Sequence, residues 1–282
     1  MTNSESRDLH LGSSHESKQL RTFVSGEDWG TPALRVLADR LRHYRAPSSS
    51  WAPADDETHG GVTSSVGMPT SVASANDIKV SPTSKRAAVL LCLFQGAEGE
   101  LRVILTKRAG SLSSHSGEVA LPGGKRDEGE DDKATALREA HEEIGLEPSH
   151  VRIVAVLEPF LSKHLLTVTP VVGIVPEHHK FEPRPNAGEV DAIFDVPLEM
   201  FLKDERHRTE DRQWLDVQYR VHYFDYDAPD GKKFTIWGLT ASILIHAASI
   251  ILQRQPDFPE FWPDFDAMTK HVRDGKGSGN LP

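Results

Sequence analysis

The segment from Leu121 to Leu146 reads LPGGKRDEGEDDKATALREAHEEIGL and leaves few ways to fold. Its paired glycines, Gly123 and Gly124, mark a loop. An acidic stretch follows with Asp127, Glu128 and Glu130, and Asp131 or Asp132 is placed to cap a helix start. The spacing predicts a helix over about 132–144, closed by Gly145, which tolerates the left-handed backbone of a helix C-terminus. At about 100° per residue, Leu137, Ala140 and Ile144 fall within an arc of roughly 60°. Glu139, Glu142 and Glu143 fall within an arc of about 100° on nearly the opposite side. One face then packs into a domain, and the other is expected to present three carboxylates to solvent. Glu139 and Glu143 are four apart, about 5–6 Å between Cβ atoms, and like charges that close destabilise a helix left to itself. A hard divalent cation held through oxygen is the natural offset. A solvated acidic surface is the alternative reading.

The rest of the chain sorts into three parts. Residues 85–254 carry the apolar runs of one α+β domain. Strands are expected at Ala87–Phe94, Leu101–Lys107, Val151–Leu157, Val168–Val175, Val190–Phe194, Val217–Tyr226 and Lys233–Trp237, with a second helix over about Leu239–Gln253. Residues 1–84 are rich in Ser, Thr, Gly and Pro and are expected to be largely disordered, apart from an amphipathic helix at about 32–45. In that helix Leu34, Leu37, Leu41 and Tyr44 form one apolar stripe. Its basic face (Arg35, Arg40, Arg42, Arg45) is read as solvated, with docking onto a partner as the alternative. The tail 255–282 is expected to fray.

Charge and cysteine content narrow the function. With 32 Lys+Arg against 42 Asp+Glu the formal charge is −10, which disfavours nucleic-acid and anionic-membrane binding. No apolar run reaches the roughly 18 residues of a membrane helix. The single cysteine, Cys92, sits in an apolar strand and is read as a buried hydrophobe. The N-terminal stretch lacks the apolar segment of a secretory signal, and Glu5, Asp8 and Glu16 fit a transit peptide poorly. Cytoplasm is therefore the default compartment, with the mitochondrion second. Association with a second copy stays open.

Taken position by position, the acidic segment runs Gly124, five residues, Glu130, seven residues, Arg138-Glu139-Ala140, one residue, Glu142-Glu143, one residue, Gly145-Leu146. This resembles the Nudix box at every fixed position. The resemblance implies an α/β/α sandwich with a mixed sheet and a loop–helix–loop box. It also implies hydrolysis of a nucleoside diphosphate linked to another group, with Mg²⁺ or Mn²⁺. Carried over, Glu139, Glu142 and Glu143 are the metal ligands and Glu139 is catalytic as well. Arg138 orients a carboxylate, with Glu130 as its partner or as an outer ligand. Gly124 and Gly145 permit the tight loops.

The flank is similar to the coenzyme A pyrophosphatase branch, in its plant-type form. The residues are Ile104-Leu105-Thr106-Lys107-Arg108, Leu112, His115, Gly117-Glu118-Val119 and Leu121-Pro122-Gly123-Gly124. Leu157 to His164 and Ile236 to Ala241 look plant-like too. The substrate this implies is coenzyme A or its thioesters. The alternatives are another nucleoside diphosphate derivative (ADP-ribose, NADH, a diadenosine polyphosphate or an oxidised nucleotide) or a catalytically silent nucleotide-binding module. Candidate ligand-binding residues are Lys107, Arg108, His115, Gly123 and Gly124, with Ser111, Ser113, Ser114 and Ser116 as available donors. Coenzyme A carries a third phosphate, which suits extra cations. A solvated strand end for Lys107-Arg108, and a loop-holding role for His115, remain open. Glu189, in Asn186-Ala187-Gly188-Glu189-Val190, is a candidate base or simply a strand start. Trp237 either stacks on an adenine or joins the core. His178-His179 is expected to face solvent.

Overall fold

The computed structural model describes residues 28–46, 85–112, 115–162, 166–214 and 217–259. The expectations of disorder before 28 and over 47–84, of fraying beyond 259, and the positions Ser113, Ser114, Lys163 and His164 lie outside these residues.

The strand β1 (Arg86–Gln95) organises the fold. Its run AAVLLCLF is apolar at successive positions, as a strand covered on both faces must be. Ala88, Leu90 and Cys92 point into one core cluster, while Ala87, Leu91 and Leu93 point into the other. Strand β1 pairs parallel with β7 (Thr167–Ile174), and antiparallel with β2 (Leu101–Arg108) and β4 (Gly123–Lys125). The short β3 (Val119–Ala120) and the long β8 (Val190–Pro197) flank β2. β5 (Arg152–Val156) and β6 (Phe160–Leu161) pair with β7. The result is a mixed eight-stranded sheet. Helix α2 (Asp132–Ile144) covers one face, with Ala136, Ala140 and Ile144 in the cluster beneath it. Helix α3 (Gly238–Leu252) covers the other, so the layers run α/β/α.

A second, antiparallel sheet joins β9 (His207–Trp214), β10 (Val217–Asp227) and β11 (Lys233–Trp237). The sequence gives no sign of β9, whose HRTEDRQW lacks apolar alternation. It forms by pairing with β10 over its whole length, with cross-strand pairs such as Arg220–Asp211 at 2.6 Å.

Helix α1 (Pro32–Leu41) is integral to this domain rather than an appendage to it. Thr31 caps it, its Oγ1 accepting from Leu34 N at 3.3 Å. Trp29, Leu34, Leu37, Ala38 and Leu41 are buried in the same cluster as α3. The predicted stripe residue Tyr44 lies past the helix end, and its hydroxyl donates to both oxygens of Glu158 at 2.7 and 2.8 Å. The basic face is not wholly solvated: Arg40 donates to the Ile251 carbonyl of α3, and the Arg42 guanidinium lies 4.6 Å over the Trp29 ring. Cys92 is fully buried, and burial pushes its thiol pKa up. His178 departs from expectation. Its ring stacks on the buried Phe94 at 3.4 Å and is half-buried. His179 is exposed.

Candidate active site

Helix α2 begins where Asp131 Oδ1 accepts from Ala134 N at 2.7 Å, and ends at Gly145 in the left-handed region (φ 72°). The acidic face predicted to be solvent-facing is instead graded in depth. The Glu142 side chain is 51% exposed, Glu139 15% and Glu143 4%. The cause is β4 and the end of β2, which close over that side of the helix. Gly123 N donates to Glu143 Oε2 at 3.2 Å. Gly124 lets Glu139 lie flat on the backbone: a Cβ there would sit 2.4–2.6 Å from the Glu139 carboxylate.

Burial without full pairing changes these acids. Desolvation raises the Glu143 pKa from 4.5 to about 7, against the opposing Gly123 N–H and Arg108, and the charges of Glu139 and Glu189 add to the rise. Glu139 is raised as well, chiefly by burial; Arg138 opposes, while Glu142 and Glu189 add. Four carboxylates therefore share one region with two guanidinium groups. That is a surplus of negative charge held in partly desolvated surroundings.

Arg138 binds the acidic loop to the helix. Its Nε donates to Glu130 Oε1 at 2.7 Å and its Nη2 to Glu130 Oε2 at 3.1 Å and to the Lys125 carbonyl at 3.0 Å. Its Nη1 donates to Glu139 at 3.0 Å and to Glu142 at 3.1 Å. Glu130 Oε2 also accepts from Thr135 Oγ1 at 2.7 Å, and these donors, Arg138 first, lower the Glu130 pKa to about 2. Both Glu130 oxygens are thus engaged, with Arg138 and Thr135 as their partners. Thr135 was not singled out from the sequence; its signal was a hydroxyl in the first helical turn, five residues past that glutamate.

Arg108 turns to α2, with Nη1 3.7 Å from Glu143 Oε1, while its buried Nε has no protein partner. Lys107 pairs with Val119 and Ala192, and the register against β8 shifts between it and Arg108. His115, in the left-handed region (φ 54°), bonds Glu118 Oε2 through Nδ1 at 2.8 Å, as a loop-holding residue does. Glu189 is exposed, and Ala109 N donates to its carbonyl at 2.8 Å. Trp237 stacks nearly parallel to Tyr223 with centroids 5.7 Å apart and is only partly buried.

Among the described residues, no three His, Cys, Asp or Glu side chains converge as a ready-made cage. The donors nevertheless suit a hard divalent ion. All are carboxylates, they lie on one helix face and loop, and the raised proton affinities of Glu139 and Glu143 mark an unmet demand for positive charge there. Magnesium takes few carboxylates and completes its shell with waters and substrate oxygens, which an open site of this kind permits.

The NUDIX domain family matches residues 84–218. Nudix hydrolase 15, mitochondrial, of Arabidopsis thaliana is 58% identical over 212 residues, covering 75% of this chain and 74% of that protein. Nudix hydrolase 22, chloroplastic, of the same plant is 49% identical over 264 residues, 91% of this chain and 84% of that one. The peroxisomal coenzyme A diphosphatase NUDT7 of Mus musculus is 39% identical over 178 residues, 62% of this chain and 74% of that one.

Proposed function

We propose, for a chain that belongs to the Nudix hydrolase family and is a Nudix pyrophosphohydrolase, that the substrate is coenzyme A and its thioesters. The observation that carries a phosphoanhydride substrate is the Glu139–Glu143 pair, two partly desolvated carboxylates one helical turn apart between the Arg138 and Arg108 guanidinium groups. Two things favour coenzyme A: the flanking run from Ile104 to Gly124, and the 39% identity to a protein named a coenzyme A diphosphatase.

In this reading Glu139, Glu142 and Glu143 hold Mg²⁺ or Mn²⁺. The ion, when bound, neutralises pyrophosphate charge and lowers the pKa of water. Arg138 frees its grip on Glu139 and Glu142 only partly, since Glu130 and the Lys125 carbonyl keep the guanidinium in place and so keep both carboxylates aimed. Arg108, with its Nη1 3.7 Å from Glu143 Oε1, supplies positive charge for a phosphate oxygen beside the carboxylates. Glu189, exposed at the rim, accepts the proton of the attacking water. The water oxygen bonds to one phosphorus and the bridging P–O bond breaks. The bridge oxygen leaves with the other phosphate, giving 3′,5′-ADP and 4′-phosphopantetheine or its acyl form. His115 is best read as a loop residue, and Gly123 and Gly124 as backbone that lets the carboxylates approach.

The test is to incubate the full chain with coenzyme A and Mg²⁺ and separate the products. Equimolar adenosine bisphosphate and phosphopantetheine are expected. Turnover of ADP-ribose or NADH with none of coenzyme A would overturn the substrate. The mitochondrial and chloroplastic names of the plant relatives support an organelle, the mitochondrion first, over the cytoplasm. A fluorescent fusion that stays diffuse in the cytosol would refute that placement.

A further inference from the structure

The loop that carries Glu189 is fastened to the end of the box helix at Arg184 and Asn186. The Asn186 N–H donates to the Glu143 carbonyl at 2.9 Å, on the last turn of α2. Its carbonyl accepts from Glu189 N at 2.9 Å and Val190 N at 2.8 Å. Its Oδ1 accepts from Gly188 N at 3.1 Å, a turn that asparagine forms readily. Two residues earlier, Arg184 N donates to the Ile144 carbonyl at 2.9 Å. At the far end the Glu189 carbonyl is held by Ala109 N at the exit of β2. Residues 186–189 therefore form a short bracket between the box helix and that strand exit, with Glu189 at its exposed corner. The bracket reaches the helix because residue 145 is glycine: a Cβ there would lie 3.1 Å from Arg184 Cβ, on a backbone with φ +72°.

We propose that Asn186 is a positioning residue for the hydrolysis, setting Glu189 relative to Glu143 through this bracket. The proposal rests on the reading that Glu189 takes part in the reaction. Removing the carboxamide leaves the backbone bonds to Glu189 in place but frees the Ala187–Gly188 peptide. The turn that leads into Glu189 then loosens and its side chain is aimed less sharply, while Glu143 and the rest of the helix keep their places. The chemical step should suffer, and capture of substrate and cation should not.

A double-mutant cycle on the full chain tests this, with coenzyme A and Mg²⁺, or with whichever phosphoanhydride the wild type hydrolyses. Asn186→Ala is expected to lower kcat about tenfold. KM and the half-saturating Mg²⁺ concentration should stay within about twofold. Asn186→Asp still accepts the Gly188 bond and should recover kcat to within about threefold. In a Glu189→Gln background Asn186→Ala should cost nothing further, because the group it positions is gone. Equal losses in both backgrounds would overturn the proposal, as would an unchanged kcat for Asn186→Ala or an Asp variant as poor as Ala. A Glu189→Gln enzyme with wild-type kcat removes the premise and overturns the bracket, yet leaves the hydrolysis itself standing. If Asn186→Ala does not fold, Asn186→Ser, with a shorter acceptor, takes its place in the cycle under the same criteria.

Discussion

Glu143 is a carboxylate the fold holds at a cost, and Glu143→Gln measures that cost. At 3% exposure it keeps one backbone N–H and a guanidinium 3.7 Å away, too little to replace water. Its pKa therefore rises from 4.5 to about 7. An acid whose pKa is higher in the folded state contributes stability fully only below its unfolded pKa, and loses it as pH rises through the folded one. For Glu143 the loss runs from pH 4.5 to about 7 and then levels off. At 1.36 kcal/mol per pKa unit the plateau is roughly 3 kcal/mol. Glutamine keeps an acceptor for Gly123 N and carries no charge. In a chelating buffer at pH 8.5, Glu143→Gln should therefore melt about 5–10 °C above the wild type. The gap should shrink steadily toward pH 5, where it is worth under about 1 kcal/mol. Saturating Mg²⁺ should close it by stabilising the wild type alone. Melting followed by circular dichroism across that pH range, with and without Mg²⁺, reads all three. A variant less stable than wild type at pH 8.5 in chelator, or an offset independent of pH, would refute the argument, because Glu143 would then be fully compensated by Arg108.

Other expectations follow from single contacts. Glu139→Gln should lower kcat by at least about a hundredfold while the melting point holds or rises, checked by product formation and melting; its partly buried charge, not solvent exposure, is the reason folding survives. Gly124→Ala places a methyl against the Glu139 carboxylate and should cost roughly a hundredfold in kcat with little change in circular dichroism. Tyr44→Phe removes the hydroxyl that bonds Glu158 and should destabilise the domain by about 1–2 kcal/mol in chemical denaturation, with kcat unchanged. A Tyr44→Phe protein as stable as wild type would mean that the segment beyond α1 is not part of the cooperative fold.

Much of the site was legible in one dimension. The caps at Asp131 and Gly145, the helix between them and the shared face of Glu139, Glu142 and Glu143 all depend on residues within one turn of each other. So does the choice of β1 as a strand covered on both sides. Pairing over longer range was less legible. β9 has no apolar alternation to announce it, because β10 and ion pairs such as Arg220–Asp211 make it a strand. The seat of α1 is hidden for a similar reason: its stripe is plain in the sequence, but the surface that receives it comes from α3 and the segment after β5.

Which acids share a face, and at what spacing, follows from residue order alone, since helical periodicity is a local property of the backbone. Their unequal depth, and the seating of Glu130 on Arg138 and Thr135, come from packing between segments distant in the chain. Depth and charge state depend on what covers a face. Here the cover is a glycine strand 20 residues before Glu143 in the chain and a strand end further upstream, brought over the helix by the sheet.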